Sequence, residues 1–300
     1  RRLTALLPSR ADVRTHIGDD AAVVAAGAHD FLLTSDAVIE GTHFLPETEP
    51  ELAGRKAIGR ALSDLAAMGG EPLWALVDVV APPDYEAERL ERVYQGLSAL
   101  ASRHNLAVVG GDLAQGAPFQ LHVFAVGRAP PGRAILRSGA KPGDGLYVTG
   151  SLGGSLRGKH LSFEPRVQEG LWLRENEWAS SMIDLSDGLA TDLRHMLEMS
   201  HAGAELMAPR IPLSKEAQIP DPRRTPLEHA LRDGEDFELL FTVPAARQKA
   251  FEAAWAQAFS LPCACIGRIT PDNGRLALLD EKGGGLPLPG NGFEHFTQSS

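Results

Sequence analysis

Apolar residues recur along this chain with two periods. Ile58, Leu62 and Leu65 stand at i, i+4 and i+7 within residues 51–68, and Leu90, Val93, Tyr94, Leu97 and Leu100 stripe residues 86–104. Leu189, Leu193, Met196 and Leu197 form a third stripe after Ser186, with Gly203 as its expected stop, and Phe251, Trp255 and Phe259 form a fourth. Residues three and four apart share a helix face, so the spacing predicts four amphipathic helices. Between them lie short apolar runs of strand type: "DFLLTSD", "LWALVDVV", "LAVVGGD", "QLHVFAVG", "GLYVTG", "FELLFTV" and "CACIGRIT". Residues 127–145, "GRAPPGRAILRSGAKPGDG", are rich in Pro, Gly and basic side chains and read as the passage between two α+β domains. The expected domains are residues 1–136 and 137–300.

At 300 residues and 43% hydrophobic content the chain has enough apolar material for substantial cores. Its formal charge of −10 argues against nucleic acid as a partner, because phosphate backbones are bound by surplus Lys and Arg. A phosphorylated small molecule remains open, provided that metal ions supply positive charge. The two cysteines, Cys263 and Cys265, project from one face of the same strand, a poor geometry for bridging each other. A reducing cytoplasm suits them better than secretion. No secretory signal is evident, and no run approaches the roughly 20 apolar residues of a membrane span, so no membrane partner is expected.

One pattern changes the picture. An apolar run, one or two small residues, then aspartate recurs: Asp36 in "FLLTSD", Asp64 in "ALSD", Asp112 in "VVGGD", and Asp184 and Asp187 in "IDLSDG". The pair Asp19–Asp20 in "IGDDAAVV" joins them. Small residues let the backbone approach a ligand while the carboxylate projects beyond the strand end. Magnesium takes oxygen ligands and is held by one or two carboxylates together with substrate phosphates. Each acid also has a plainer reading. Asp19, Asp20 and Asp112 suit turns, and Asp64 falls opposite the apolar stripe of its helix. Ser186 reads as a helix cap with Asp187 in the first turn. The segment "GGSLRGKH" comes within one residue of a P-loop, but His160 stands where Ser or Thr must bind magnesium, and Pro165 follows within two turns.

The ordered set "IGDDAAVV", "LLTSDAVIEGTHF", "LSDLAAMGG", "VVGGD", "RSGAKPGDGLYVTG", "IDLSDGL" and "GEDFELLFTV" resembles the thiamine-monophosphate kinases of the aminoimidazole ribonucleotide synthetase superfamily. The resemblance spans residues 17–296. It implies a two-domain α+β fold of that type: an N-terminal sheet-plus-helices domain for ATP, magnesium and dimerisation, and a C-terminal α+β domain. It also implies ATP-dependent phosphorylation of thiamine monophosphate to thiamine diphosphate by a homodimer with the nucleotide between domains. Carried over, Asp20, Thr34, Ser35, Asp36, Asp64, Asp112, Asp184 and Asp187 hold magnesium. Tyr94, Gly111, Asp112, Arg137 and Ser186 contact ATP, with Asp20, Asp36, Asp112 and Arg137 at the reacting centre. His43, Glu235 and Phe293 line the thiamine phosphate pocket. The plainer alternatives are a loop role for His43, core packing for Tyr94, a tail anchor for Phe293 and a solvated pair for Glu235 and Asp236.

Three departures from the pattern stand out. Asp233 replaces the first glycine of "GGED", Ala61 stands where a polar residue is common, and the helix expected after "VTG" is shortened through residues 151–181. The superfamily members that depend on a reactive terminal cysteine fit less well, since both cysteines here are internal. A silent nucleotide-binding homologue is disfavoured by the number of converging acids. The chemistry needs no general base. A phosphate monoester has its second pKa near about 6, so the attacking oxygen is already ionised at neutral pH. The obstacle is anion–anion repulsion, about 4 kcal/mol per pair of unit charges at 4 Å and an effective dielectric of 20.

Overall fold

The computed structural model describes residue 8 and residues 10–288, and the chain divides into two compact units. The first comprises the chain up to Ala134 together with Leu161–Leu171; the second comprises Ile135–His160 and the chain from Trp172 onward.

In the first unit, β1 (Val13–Thr15), β2 (Ala22–Ala26) and β3 (His29–Ile39) precede α1 (Pro50–Ala67) and β4 (Glu71–Ala81). Then follow α2 (Ala87–Arg103), β5 (Ala107–Gly110), β6 (Leu113–Gln115) and β7 (Gln120–Ala129). The sheet runs β1-β2-β3-β7-β4-β5, with β6 also on β4; β5 and β6 lie parallel to β4, and the remaining pairs are antiparallel. Alternation decides its faces. Leu32, Thr34 and Val38 of β3 are buried, as are Ala75, Val77 and Val79 of β4 and Leu121, Val123 and Ala125 of β7. Helix α1 packs on this sheet and against α2. The two helices approach through glycine: a Cβ on Gly54 would stand 2.0 Å from the Val93 carbonyl oxygen, and one on Gly96 1.9 Å from that of Glu51. Both stripes predicted from the sequence therefore form helices, at nearly the expected bounds.

Residues 161–171 are held to this unit by charge. Arg55 donates to the Phe163 carbonyl at 2.7 Å and to Glu164 at 3.0 Å, and His104 Nε2 lies 2.9 Å from the other Glu164 oxygen. Burial holds the His104 imidazole below its ordinary pKa, against the pull of Glu164.

The second unit contains β8 (Gly145–Thr149), β9 (Ser181–Asp184) and α5 (Leu189–Ser200), while α3 (Lys159–Ser162) and α4 (Val167–Glu175) each have residues in both units. They are followed by β10 (Gly203–Met207), α6 (Pro226–Arg232), β11 (Leu239–Val243), α7 (Gln248–Ala258), β12 (Cys263–Thr270), β13 (Leu276–Leu279) and β14 (Gly285–Leu286). Its sheet runs β14-β13-β10-β12-β8-β11-β9. Strands β8 and β11 are buried along their whole length, with Leu146, Val148, Ile183, Leu193, Leu240 and Ile266 in one core. The third predicted stripe forms α5, but it stops at His201, which adopts φ 51° as its C-cap; Gly203 instead opens β10. After "VTG" the chain makes a 3-10 turn at Ser155–Arg157 and the four-residue α3. The segment that came near a P-loop therefore opens no long helix. Helix α4, which no apolar stripe announced, follows it.

Candidate magnesium and substrate site

In the first unit Asp20 stands buried just before β2, with its amide donating to Asp19 Oδ1 at 3.2 Å. Asp19 thus stabilises the turn. Asp64 projects from α1 toward β3, where the Thr34 hydroxyl donates to its Oδ2. Asp20 and Asp64 offer carboxylate oxygens within 4.8 Å of each other. Asp64 is therefore drawn toward the sheet instead of resting on a solvated helix face. Asp36 lies two residues beyond Thr34 on the same face, and Arg60 lies one helical turn before Asp64. Arg60 donates from Nε at 3.2 Å and Nη2 at 3.0 Å to Asp36 Oδ1, while Asp36 Oδ2 is buried with no hydrogen-bond partner. Ser35, between them, is exposed on the opposite face.

Gly111 and Asp112 join β5 to β6. Gly111 has φ 146°, and a Cβ there would fall 1.9 Å from the Val77 carbonyl oxygen. The Asp112 carbonyl accepts from the Val79 amide at 2.9 Å, leaving its side chain exposed. Tyr94 is 40% exposed on α2, which sets aside the core-packing alternative. His43 sits in the turn after β3, where its Nδ1 accepts from the Ile39 amide at 3.0 Å. A neutral imidazole so held carries its proton on Nε2. Lys56, fully buried in α1, donates to the His43 carbonyl at 2.6 Å and fixes the turn from beneath.

In the second unit Asp184 ends β9, buried, and residues 185–188 lead into α5. The N-cap of α5 is Gly188, with φ 105° and no side-chain cap, which corrects the reading of Ser186 as the cap. The buried carboxylate of Asp192 does the organising. Its Oδ2 accepts from the amides of Asp187 and Gly188, each at 3.0 Å. Burial pushes the Asp192 pKa well above the carboxylate range, reinforced by the charges of Asp187 and Asp184 and opposed by those amides and Arg137. Arg137 is anchored through its carbonyl, which accepts from Ser181 Oγ at 2.6 Å and Ser200 Oγ at 3.0 Å. The Ser186 carbonyl accepts from the Glu235 amide at 2.7 Å. Glu235 itself adopts φ 52°, and its carboxylate lies 3.2 Å from His160 Nδ1. Asp233 turns away from this acid: it receives Arg224 at 2.5 Å, the Gly154 amide at 2.8 Å and His229 at 2.8 Å. Phe293 lies outside the described residues.

The donors in the first unit are hard oxygens: the carboxylates of Asp20 and Asp64 close together, the Thr34 hydroxyl on Asp64 and, farther along the same face of β3, a buried Asp36 oxygen with no hydrogen-bond partner. They fit magnesium. Sequence reasoning missed Arg60, Lys56, Asp192 and His160. Asp192 had a legible signal, as the third acid of "IDLSDGLATDL", whereas Lys56 and Arg60 read simply as the polar side of α1.

Two family models match the chain: the AIR synthase related protein N-terminal domain over residues 18–129, and the corresponding C-terminal domain over residues 157–278. The thiamine-monophosphate kinase of Escherichia coli K12 is 36% identical over 311 residues, covering 96% of this chain and 94% of that protein. The solved structure of AaThiL complexed with AMPPCP and TMP superposes with a TM-score of 0.78 at 32% identity, over 93% of this chain and 92% of that one. Hydrogenase maturation protein HypE in complex with ATP gives 0.70 at 17% identity over 89% and 86%, a likeness of fold alone. The chain therefore belongs to the thiamine-monophosphate kinase family.

Proposed function

We infer that this protein transfers the γ-phosphate of ATP to thiamine monophosphate, giving thiamine diphosphate. The observation that carries the reading is the close oxygen group of Asp20, Asp64 and Thr34, in a chain whose relatives are kinases of this substrate. A solved relative holds AMPPCP and TMP together, which supports both substrates.

The chain's own residues bind and orient. Asp20, Asp36, Asp64 and Asp112 in the first unit, and Asp184 and Asp187 in the second, are the proposed magnesium ligands, with the Thr34 hydroxyl beside them; the Ser35 side chain, exposed on the opposite face of β3, is set aside. Bound magnesium would neutralise the phosphates and let two anions meet in line. Arg137 adds a fixed positive charge, and Gly111, Ser186 and Tyr94 are the proposed nucleotide contacts. His43, whose Nδ1 accepts from the Ile39 amide, is the proposed contact of the acceptor phosphate. Glu235 faces the cationic thiamine moiety, and the acceptor oxygen attacks in its ionised form without a base. A coupled assay with thiamine monophosphate and Mg–ATP, with thiamine as control acceptor, tests this. Asp20→Asn and Asp112→Asn each abolish transfer while the circular dichroism spectrum stays native; near-normal turnover in both refutes the assignment.

The outer face of the first unit's sheet supports a homodimer. Trp74, Leu76 and Phe124 are 46%, 40% and 37% exposed, and Phe31 stacks on Trp74 at 6.3 Å. Such a contiguous apolar stripe on an otherwise acidic chain fits a second copy of itself across a two-fold axis. Among the described residues no helix is long and apolar enough to cross a membrane. The free thiols Cys263 and Cys265 favour a cytoplasmic setting.

A further inference from the structure

The entrance to β11 carries four acids in six residues, Asp233, Glu235, Asp236 and Glu238, and the second unit answers each differently. Asp236 has both oxygens 3.0 Å from the Gly153 amide and lies 3.8 Å from Lys159. Glu238 takes Lys159 at 2.9 Å and the Thr149 hydroxyl at 2.7 Å. Asp233 takes Arg224, His229 and the Gly154 amide. These three side chains are 1%, 1% and 5% exposed, so they serve the fold. Glu235 differs: its side chain is 16% exposed, and it is answered by His160 Nδ1 at 3.2 Å.

Its backbone is also held out of the ordinary. Gly234 and Glu235 adopt φ 71° and 52°, and the Glu235 amide bonds the carbonyl of Ser186, within the Asp184–Asp187 loop. A non-glycine residue in the left-handed region costs about 1–3 kcal/mol and clusters at functional sites. This strain aims one partly accessible carboxylate beside the acidic loop.

We propose that His160 is a positioning residue for substrate recognition: its imidazole fixes the Glu235 carboxylate toward the cationic, amine-bearing thiamine moiety. A lysine or arginine in its place would cancel the negative charge that a cationic ligand needs. The imidazole Nδ1, 3.2 Å from the carboxylate, is placed to orient it by a hydrogen bond. This inference rests on the reading of Glu235 as a substrate residue.

The test is calorimetric binding of thiamine monophosphate to the full chain, together with steady-state kinetics. His160→Ala weakens thiamine monophosphate binding and raises its KM by about tenfold, the loss of one hydrogen bond to a charged group. The KM for ATP and the melting temperature stay at wild-type values, and His160→Asn, whose amide reproduces the Nδ1 donor, recovers most of the affinity. In a Glu235→Gln background His160→Ala adds little further loss. If Glu235→Gln weakens binding but His160→Ala does not, the positioning role is overturned and the substrate role of Glu235 stands. If Glu235→Gln leaves binding unchanged, that substrate role falls and this proposal with it. An equal loss from His160→Ala in both backgrounds overturns the coupling.

Discussion

Asp192 offers the sharpest test of how this chain presents its acids. Its Oδ2 is the acceptor for two amides, those of Asp187 and Gly188, each at 3.0 Å. Asp192→Ala removes both bonds at once and leaves the Gly188 amide buried. A buried donor without a partner costs about 1–3 kcal/mol. With the Asp187 amide partly able to reach water, the expected loss is about 2–4 kcal/mol. Asp192→Asn keeps a carbonyl acceptor of the same reach and retains most of the stability.

The charge gives a second, independent signature. The Asp192 pKa is raised in the fold above its ordinary value of 3.8, chiefly by burial. A group whose folded pKa is raised contributes stability at pH values below its unfolded pKa and loses it as pH climbs through the folded value. Asparagine does not titrate, so Asp192→Asn gains on the wild type as pH rises. Urea denaturation in metal-free buffer at about pH 5 and about pH 8 measures both effects. Equal destabilisation by alanine and asparagine, or an asparagine difference independent of pH, would show that Asp192 does not hold this loop as a buried acid.

Two further outcomes are expected. Trp74→Glu combined with Phe124→Glu places charges on the exposed apolar stripe and converts a dimer to a monomer in analytical ultracentrifugation; a dimer that persists removes this face as the interface. Asp236 has its pKa pushed up to about 7, first by burial and against the pull of Lys159. It therefore costs stability as pH rises from about 4 to about 7, and Asp236→Asn flattens that part of the melting-temperature profile; a profile unchanged from the wild type would show that Asp236 is ionised in the fold throughout.

Much of the fold was legible because periodicity is local. The α1 and α2 stripes need only residues three and four apart, and β3, β4 and β7 alternate as strands covered on one face must. Helix α6 went unread, although Thr225 and Glu228 form a capping box, a pattern spanning four residues that hydrophobic spacing overlooks. Helix α4 lacked both signals. Which acids face a ligand was less legible, because partners come from distant sequence. Nothing around Asp36 announces Arg60, and nothing near Glu235 announces His160. Ser186 illustrates a local rule overridden. Serine before an apolar stripe is a good cap, yet the turn continues to Gly188 because Asp192 captures the amides beyond it.

The arrangement around Asp36 carries the electrostatic reading furthest. Arg60 satisfies one oxygen and holds the side chain in place, while the other oxygen is buried without a partner. Leaving a carboxylate oxygen in that condition costs free energy of the same order as a lost hydrogen bond, a cost that a bound ligand would offset. Oxygen-bound magnesium is such a ligand, and Thr34, Asp64 and Asp20 lie on the same side of the sheet. A ligand that binds the native state alone stabilises it by RT ln(1 + [L]/Kd), about 2.7 kcal/mol at a hundred times Kd. Saturating magnesium should therefore raise the melting temperature of the wild type, and the rise should shrink in Asp36→Asn, which keeps the shape but removes the negative charge. In Asp36→Asn the protein without metal should be less stable than the wild type, because the part-buried Arg60 guanidinium loses its anionic partner. An undiminished magnesium response in that variant would mean that Asp36 serves Arg60 and the packing of α1 on β3, and that the metal is held by the other acids.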